Sequence, residues 1–320
     1  MAGDGGILPA ARTRVVHAGT MTIARTRWRG EPALRLTAGT TSLVVLPDLG
    51  WTGVSLRHDG REFLAAPGGP AALRAGHTLG LPLLAPWANR ISRRRFRVAG
   101  VDVDLRRRRL HTDGHGLPIH GLLIGATGWE PVREQSGAAG AAVTAARAFN
   151  TPAFPFPHRI EVGYRLRPGR LDVTTTVVPS GRRRVPVAFG WHPYLRVPGA
   201  PRARWRLVLP ARVHLGLDER GIPTGAGSEA RAEARPVGRR TFDDLYALDR
   251  RRVLALETDD HAVEIRADAR YPFAQVWVPA GRPFAALEPM TAATDALTRG
   301  EVPLVAPGDA FSASFAVVLR

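Results

Sequence analysis

An all-β fold, built as one large antiparallel β-sandwich, is the fold class this 320-residue sequence predicts. Three observations point there. Apolar and polar residues alternate with period two, as where one face of a strand is buried and the other wet: Val101, Val103 and Leu105 against Asp102 and Asp104, and Val263 and Ile265 against Glu264 and Arg266. Short apolar runs are separated by turn residues, in a chain with 34 Gly and 27 Pro. No segment holds a 3.6-residue period over three turns, which argues against alternating β and α units.

The elements follow in order. Ala33–Thr37 and Ser42–Leu46 read as strands around Ala38-Gly39-Thr40-Thr41. Gly53–Arg57 and Glu62–Leu64 flank Asp59-Gly60, a strong hairpin signal. Phe96–Val98 and Val101–Leu105 flank Ala99-Gly100, and Arg159–Leu166 and Leu171–Val178 flank Pro168-Gly169. Val185–Trp191 is an apolar strand. Val253–Glu257 and Ala262–Arg266 surround Asp259-Asp260, and Phe311–Leu319 closes the chain. Residues 1–20, rich in Gly and Ala without a period, are expected to be a disordered tail with Met21 as an alternative start. A single domain is expected over residues 21–320.

Composition narrows the chemistry. There is no cysteine, so disulfides, thiolate nucleophiles and cysteine-ligated zinc are excluded. A cytoplasmic location is compatible with that. All 45 basic residues are arginine, the formal net charge is +17, and the sequence pI is about 11.6. Such a charge can attract nucleic acid or anionic substrates. The runs Arg93–Arg95, Arg106–Arg109, Arg182–Arg184 and Arg250–Arg252 fall at predicted strand ends, where solvated charge is the simpler reading, and no nucleic-acid partner is expected. No run of 18 apolar residues is present, so no membrane span is expected. GxSxG, P-loop and GxGxxG patterns in their required contexts are missing, which weakens hydrolase, kinase and dehydrogenase readings.

Five polar tags interrupt the apolar pattern. In Phe284–Thr291 an apolar run meets Glu288, and Pro289 holds that residue extended. The glutamate is expected at a strand end, either in water or facing a ligand. Trp87-Ala88-Asn89-Arg90 follows a buried run. Its guanidinium, amide and indole suit a polyhydroxylated ligand, and equally a core-edge ion pair. The stretch His111–Gly121 is histidine-dense, but glycines and Pro118 break any fixed ligand geometry, so no metal site is expected. His120 is its most inward-facing candidate. His192, restrained by Pro193, reads as a directed proton donor or as a buried histidine with a backbone partner. Asp243 and Asp244 lie between aromatics, as hydroxyl acceptors or turn caps.

Taken in order, Pro86–Ile91, Ile119-His120-Gly121, His192-Pro193-Tyr194, Phe242-Asp243 and Glu288-Pro289-Met290-Thr291 resemble the aldose 1-epimerase (galactose mutarotase) family, in its divergent branch, over about residues 22–319. The resemblance implies a galactose mutarotase-like supersandwich, an open sugar cleft, and no metal or organic cofactor. It implies Glu288 as general base, His192 as general acid and His120 as a further active-site histidine. Arg90, Asn89, Asp243 and Trp87 would then bind sugar, with the aspartate assignment open by one position to Asp244. His192 is expected to be kept protonated by a nearby anion such as Glu288. Two departures bear on substrate choice: Ser92-Arg93-Arg94-Arg95 replaces a glycine-rich turn, and Asp295 stands where asparagine is common. A free aldohexose is the expected substrate. A hexose 6-phosphate, or binding of carbohydrate without catalysis, are the alternatives.

Overall fold

The computed structural model describes residues 20–108 and 110–320. The expected tail lies outside the described residues apart from Thr20, as does Arg109 of the arginine run. Three antiparallel sheets carry most of the strands: one of five strands near the start, one of nine and one of eight. The five-stranded sheet is a meander from Met21–Trp28 to Arg61–Glu62. Long central strands build the nine-stranded sheet, with Phe154–Arg167 and Arg170–Pro179 paired through Pro168-Gly169 and the latter paired with Phe311–Leu319. Gly169 is at φ 67, the left-handed conformation the tight turn needs.

The nine- and eight-stranded sheets share one core. Trp191 of the eight-stranded sheet donates its indole N–H to Thr175 Oγ of the other at 3.1 Å, and its ring meets Phe315 at 5.8 Å. Each fully buried aromatic of this kind contributes on the order of 1.5–3 kcal/mol. The five-stranded sheet joins the same core through Leu34, Leu36 and Leu43, and the Tyr164 hydroxyl donates to the Trp51 carbonyl at 2.8 Å.

The expected strands are present with small shifts. The apolar run Val185–Trp191 is two short strands, Val185–Pro186 and Gly190–Trp191, rather than one. Pro186 and Gly190, and a change of partner between the two ends, break the ladder. Glu264, expected to be wet, is only 5% exposed because Arg266 at 2.6 Å and Arg320 close over its carboxylate. The strand holding Glu288 does not stop at it. Ala285–Met290 pairs on past the proline, with Pro289 opposite Ala274 and Met290 opposite Phe273 and Gly190.

Candidate active site

Cross-strand register places four site side chains on one face of the eight-stranded sheet. Glu288 lies opposite Gln275. Trp277, two residues on, is opposite Asp243 of the strand Phe242–Leu248. Residues i and i+2 share a face, so Glu288, Gln275, Trp277 and Asp243 line up together. Tyr194 joins them because it pairs with Ala286 on the other side of the Glu288 strand.

The remaining groups arrive on loops. His192 follows the strand Gly190–Trp191, and its amide donates to the Pro82 carbonyl at 3.2 Å. The His120 amide donates to the Asn89 carbonyl at 3.0 Å, and Arg90 bridges to Ile119. Asn89 (φ 55) and His120 (φ 65) both have left-handed backbones, a costly geometry concentrated at two neighbouring positions of the site. Gly121, the next residue, lets the backbone pass close to Ala85: a Cβ there would lie 2.2 Å from the Ala85 carbonyl oxygen.

These side chains surround a hollow of about 190 Å3. His192 Nε2 is 3.3 Å from Glu288 Oε1, and both residues are buried, at 4% and 2% exposure. The His120 ring meets His192 edge to face at 5.2 Å, while the His192 ring stacks on Tyr194 at 4.7 Å. Arg90 Nε donates to Asp113 at 2.7 Å and Nη2 to Asp243 at 3.2 Å, so its fork is fixed between two carboxylates. Gln275 donates to the other Asp243 oxygen at 2.6 Å. Glu288 Oε2, His120 Nδ1, His192 Nδ1 and Gln275 Oε1 are buried with no hydrogen-bond partner among the described residues. Buried polar atoms are nearly always satisfied, so four orphans on residues lining one hollow mark where a ligand's polar groups belong.

Of the residues singled out in the sequence, Glu288, His192, His120, Arg90, Asn89 and Asp243 line the hollow. Trp87 does not. It is 1% exposed in the apolar core, where its large ring gains more from burial than it would beside a cleft. The choice between the paired aspartates is geometric: strand alternation turns Asp244 away, to the Tyr246 hydroxyl at 3.0 Å and His214 at 3.4 Å.

The expectation that Glu288 raises the pKa of His192 and keeps it protonated is corrected. Burial pushes the imidazole down to about 3, toward its neutral form. Burial likewise raises Glu288 well above the ordinary carboxylate range; the Asp243 charge adds to this and Arg90 partly opposes it. Taking both ions out of water costs more than their mutual attraction returns. Both shifts run toward the uncharged pair, a carboxylic acid beside a neutral imidazole. His120 is also held neutral, first by burial and then by the neighbouring His192.

Sequence reading assigned no role to Asp113, Gln275, Thr78, Tyr194 or Trp277. Asp113 carried a signal, an Asp-Gly turn. Its Oδ1 caps the amides of His115 and Leu117 at 2.9 Å each while Oδ2 holds Arg90. Gln275 is a polar residue between apolar neighbours in its strand, but only register reveals that it faces Glu288. The two departures from the family pattern touch each other outside the hollow: Asp295, at φ 65, accepts from the Ser92 amide at 2.7 Å. A larger surface hollow of about 640 Å3, around Arg212, Arg231 and Asp249, contains none of the acid–base groups. No group of three or more His, Asp or Glu able to hold a metal ion occurs among the described residues. Likewise, no described helix is long and apolar enough to cross a membrane.

A β-supersandwich with a histidine–glutamate pair at the floor of a polar hollow is the class that fold and site define. The aldose 1-epimerase family profile matches residues 32–317, and the chain belongs to that family. Among solved structures it is similar to a galactose mutarotase-like protein from Clostridium acetobutylicum (TM-score 0.83, 20% identity, covering 94% of this chain and 99% of that one). It is also similar to a galactose 1-epimerase from Lactobacillus acidophilus (0.77, 14%, 94% and 99%) and to an aldose epimerase homologue from C. elegans (0.72, 15%, 94% and 99%). At these identities the likeness is one of fold. No curated protein matches the sequence significantly.

Proposed function

We propose that the protein interconverts the α and β anomers of a free aldohexose by general acid–base ring opening and closure. One domain over residues 21–320 carries the activity; the shared core of the three sheets supports that reading. The observation that carries the assignment is the His192–Glu288 pair, 3.3 Å apart in a hollow of about 190 Å3.

Glu288 takes the proton of the C1 hydroxyl while His192 gives a proton to the ring oxygen. The C1–O5 bond breaks, and C1 becomes an aldehyde carbon. Rotation about C1–C2 turns the other carbonyl face to the C5 hydroxyl. Reclosure reverses the transfers: His192 takes the C5 hydroxyl proton and Glu288 returns one to O1. Each positioned acid or base supplies about 10²–10⁴ in rate, and no covalent nucleophile is needed.

The direction of the two pKa shifts fits this cycle. Ring opening begins from carboxylate and imidazolium and ends with carboxylic acid and neutral imidazole. Burial favours the second state. The pocket is thus biased toward the protonation state that accompanies the open-chain aldehyde. Entering the cycle moves one proton from Glu288 to His192. Sugar hydroxyls donating to the orphaned Glu288 Oε2 stabilise the carboxylate and promote that shift.

Arg90, Asn89, Asp243 and Gln275 form the hydroxyl-binding wall. Arg90 is already held by two aspartates, which counts against its serving as the receptor of a phosphate group. Polarimetry starting from a pure anomer, with the solvent rate subtracted, tests the proposal. Conversion no faster than in buffer, over a panel of aldohexoses, would reject it.

A further inference from the structure

The hollow is not closed on all sides. Beside it lies a second chamber of about 520 Å3, and Thr78, His120, Tyr194 and Trp277 line both. His77, His111, Phe284, Pro67 and Pro279 form the rest of the chamber's lining that matters here.

Ring connectivity says which part of a sugar faces it. If Glu288 meets O1, the wall reached through Gln275 and Asp243 meets the hydroxyls next along the ring, at C2 and C3. His192 meets O5, so the opposite side of the sugar, C4 and the C5–C6 arm, lies beyond His192. That is where Tyr194 stacks on His192 and Trp277 touches both rings, at 5.5 and 5.8 Å. These are the shared wall of the chamber. A substituent on C4 or C6 would therefore enter it.

The chamber's size and chemistry select the substituent. An apolar cavity of about 150 Å3 holds one benzene, so the catalytic hollow suits a single six-membered ring. The chamber has more than twice the hollow's volume, far more than a phosphate fills. Aromatic and proline faces dominate it: Trp277 and Phe284 lie 5.9 Å apart, with Tyr194 5.0 Å from Phe284. The His77 and His111 rings meet edge to face at 5.3 Å and supply ring nitrogens as hydrogen-bonding groups. Its one guanidinium, Arg282, is exposed at the rim. Apolar faces with a few polar groups suit a second pyranose, whereas phosphate calls for several charge-assisted donors together.

We infer that the preferred substrate is a reducing oligosaccharide linked through C4 or C6 of its reducing-end aldose, with that residue in the catalytic hollow and the next sugar in the chamber. The inference rests on the acid–base assignment above. Rates of anomerisation are compared for glucose, galactose, maltose, isomaltose, melibiose and glucose 6-phosphate. At least one disaccharide should show a KM about tenfold below that of its parent hexose at similar kcat, the effect of one aromatic contact with one hydrogen bond. Ala72→Phe, which projects a ring into the chamber from the short helix Gly69–Arg74, should erase that difference and leave hexose kinetics unchanged. His77→Ala, at an exposed position, should reduce it without touching the fold. Equal or weaker KM for every disaccharide overturns the inference and spares the epimerase reading. So does a tenfold preference for glucose 6-phosphate, which would make the chamber an anion site. Calorimetric binding of maltose by a protein that anomerises nothing would reject the epimerase reading and keep the chamber as a sugar site.

Discussion

Replacing Glu288 by glutamine preserves side-chain volume at a position that is 2% exposed and lines the hollow. The amide still donates and accepts hydrogen bonds, so a hexose loses little affinity. What disappears is the group that accepts the C1 hydroxyl proton. His192, 3.3 Å away, cannot replace it while it serves the ring oxygen. The expected loss in kcat is about 10²–10⁴, or roughly 2.7–5.4 kcal/mol of barrier, with KM changed by less than about threefold. Polarimetry or NMR saturation transfer at neutral pH measures it. The variant should also be more stable than wild type once pH rises above the ordinary carboxylate range, because there the wild-type native state keeps a proton on Glu288 that the unfolded chain releases, and Gln has no such proton to lose. Undiminished conversion of a pure anomer by Glu288→Gln would refute the base assignment.

Other expected outcomes bear on separate parts of the site. His192→Asn should lose turnover on a similar scale while still binding sugar, with the two parameters separated by single-turnover rates. The same variant should flatten acid unfolding. Between pH 6.5 and about 3 the unfolded chain binds a proton that buried His192 refuses, so wild-type stability falls as pH is lowered through that window; urea titrations at pH 7, 5 and 4 report it. Arg90→Lys keeps the charge but cannot span Asp113 and Asp243 together, and should raise KM about tenfold with kcat retained. Trp87→Phe should leave KM for the sugar unchanged and lower stability by on the order of 1–2 kcal/mol, from lost buried surface, as read by thermal unfolding.

Much of the fold was legible because the long central strands of the nine-stranded sheet alternate in burial. Phe154–Arg167 and Phe311–Leu319 bury every second residue for much of their length. Glu130–Gly137 and Pro223–Ala230 were not legible. Both are edge strands with little or no buried side, so neither carries a period to read. At the site, the tags around Glu288 and His192 stood out because Pro289 and Pro193 constrain backbone locally, and His120 because the apolar Leu117-Pro118-Ile119 precedes it; such local features are written in local sequence. The hydroxyl-binding wall was harder. Asp243 and Gln275 are 32 positions apart and meet only through register. Trp87 was misread for the opposite reason: an indole beside Asn89 and Arg90 in sequence points to the core in space. The protonation of His192 also escaped the sequence, since depth of burial decides it and no spacing encodes depth.

The most direct test of the central claim is a crystal structure of Glu288→Gln soaked with glucose or maltose. The anomeric hydroxyl should lie within about 3 Å of the side chain at position 288, and the ring oxygen within the same distance of His192 Nε2. A sugar bound with its anomeric carbon turned away from both groups, or seated only in the surface hollow near Arg212, would contradict the account.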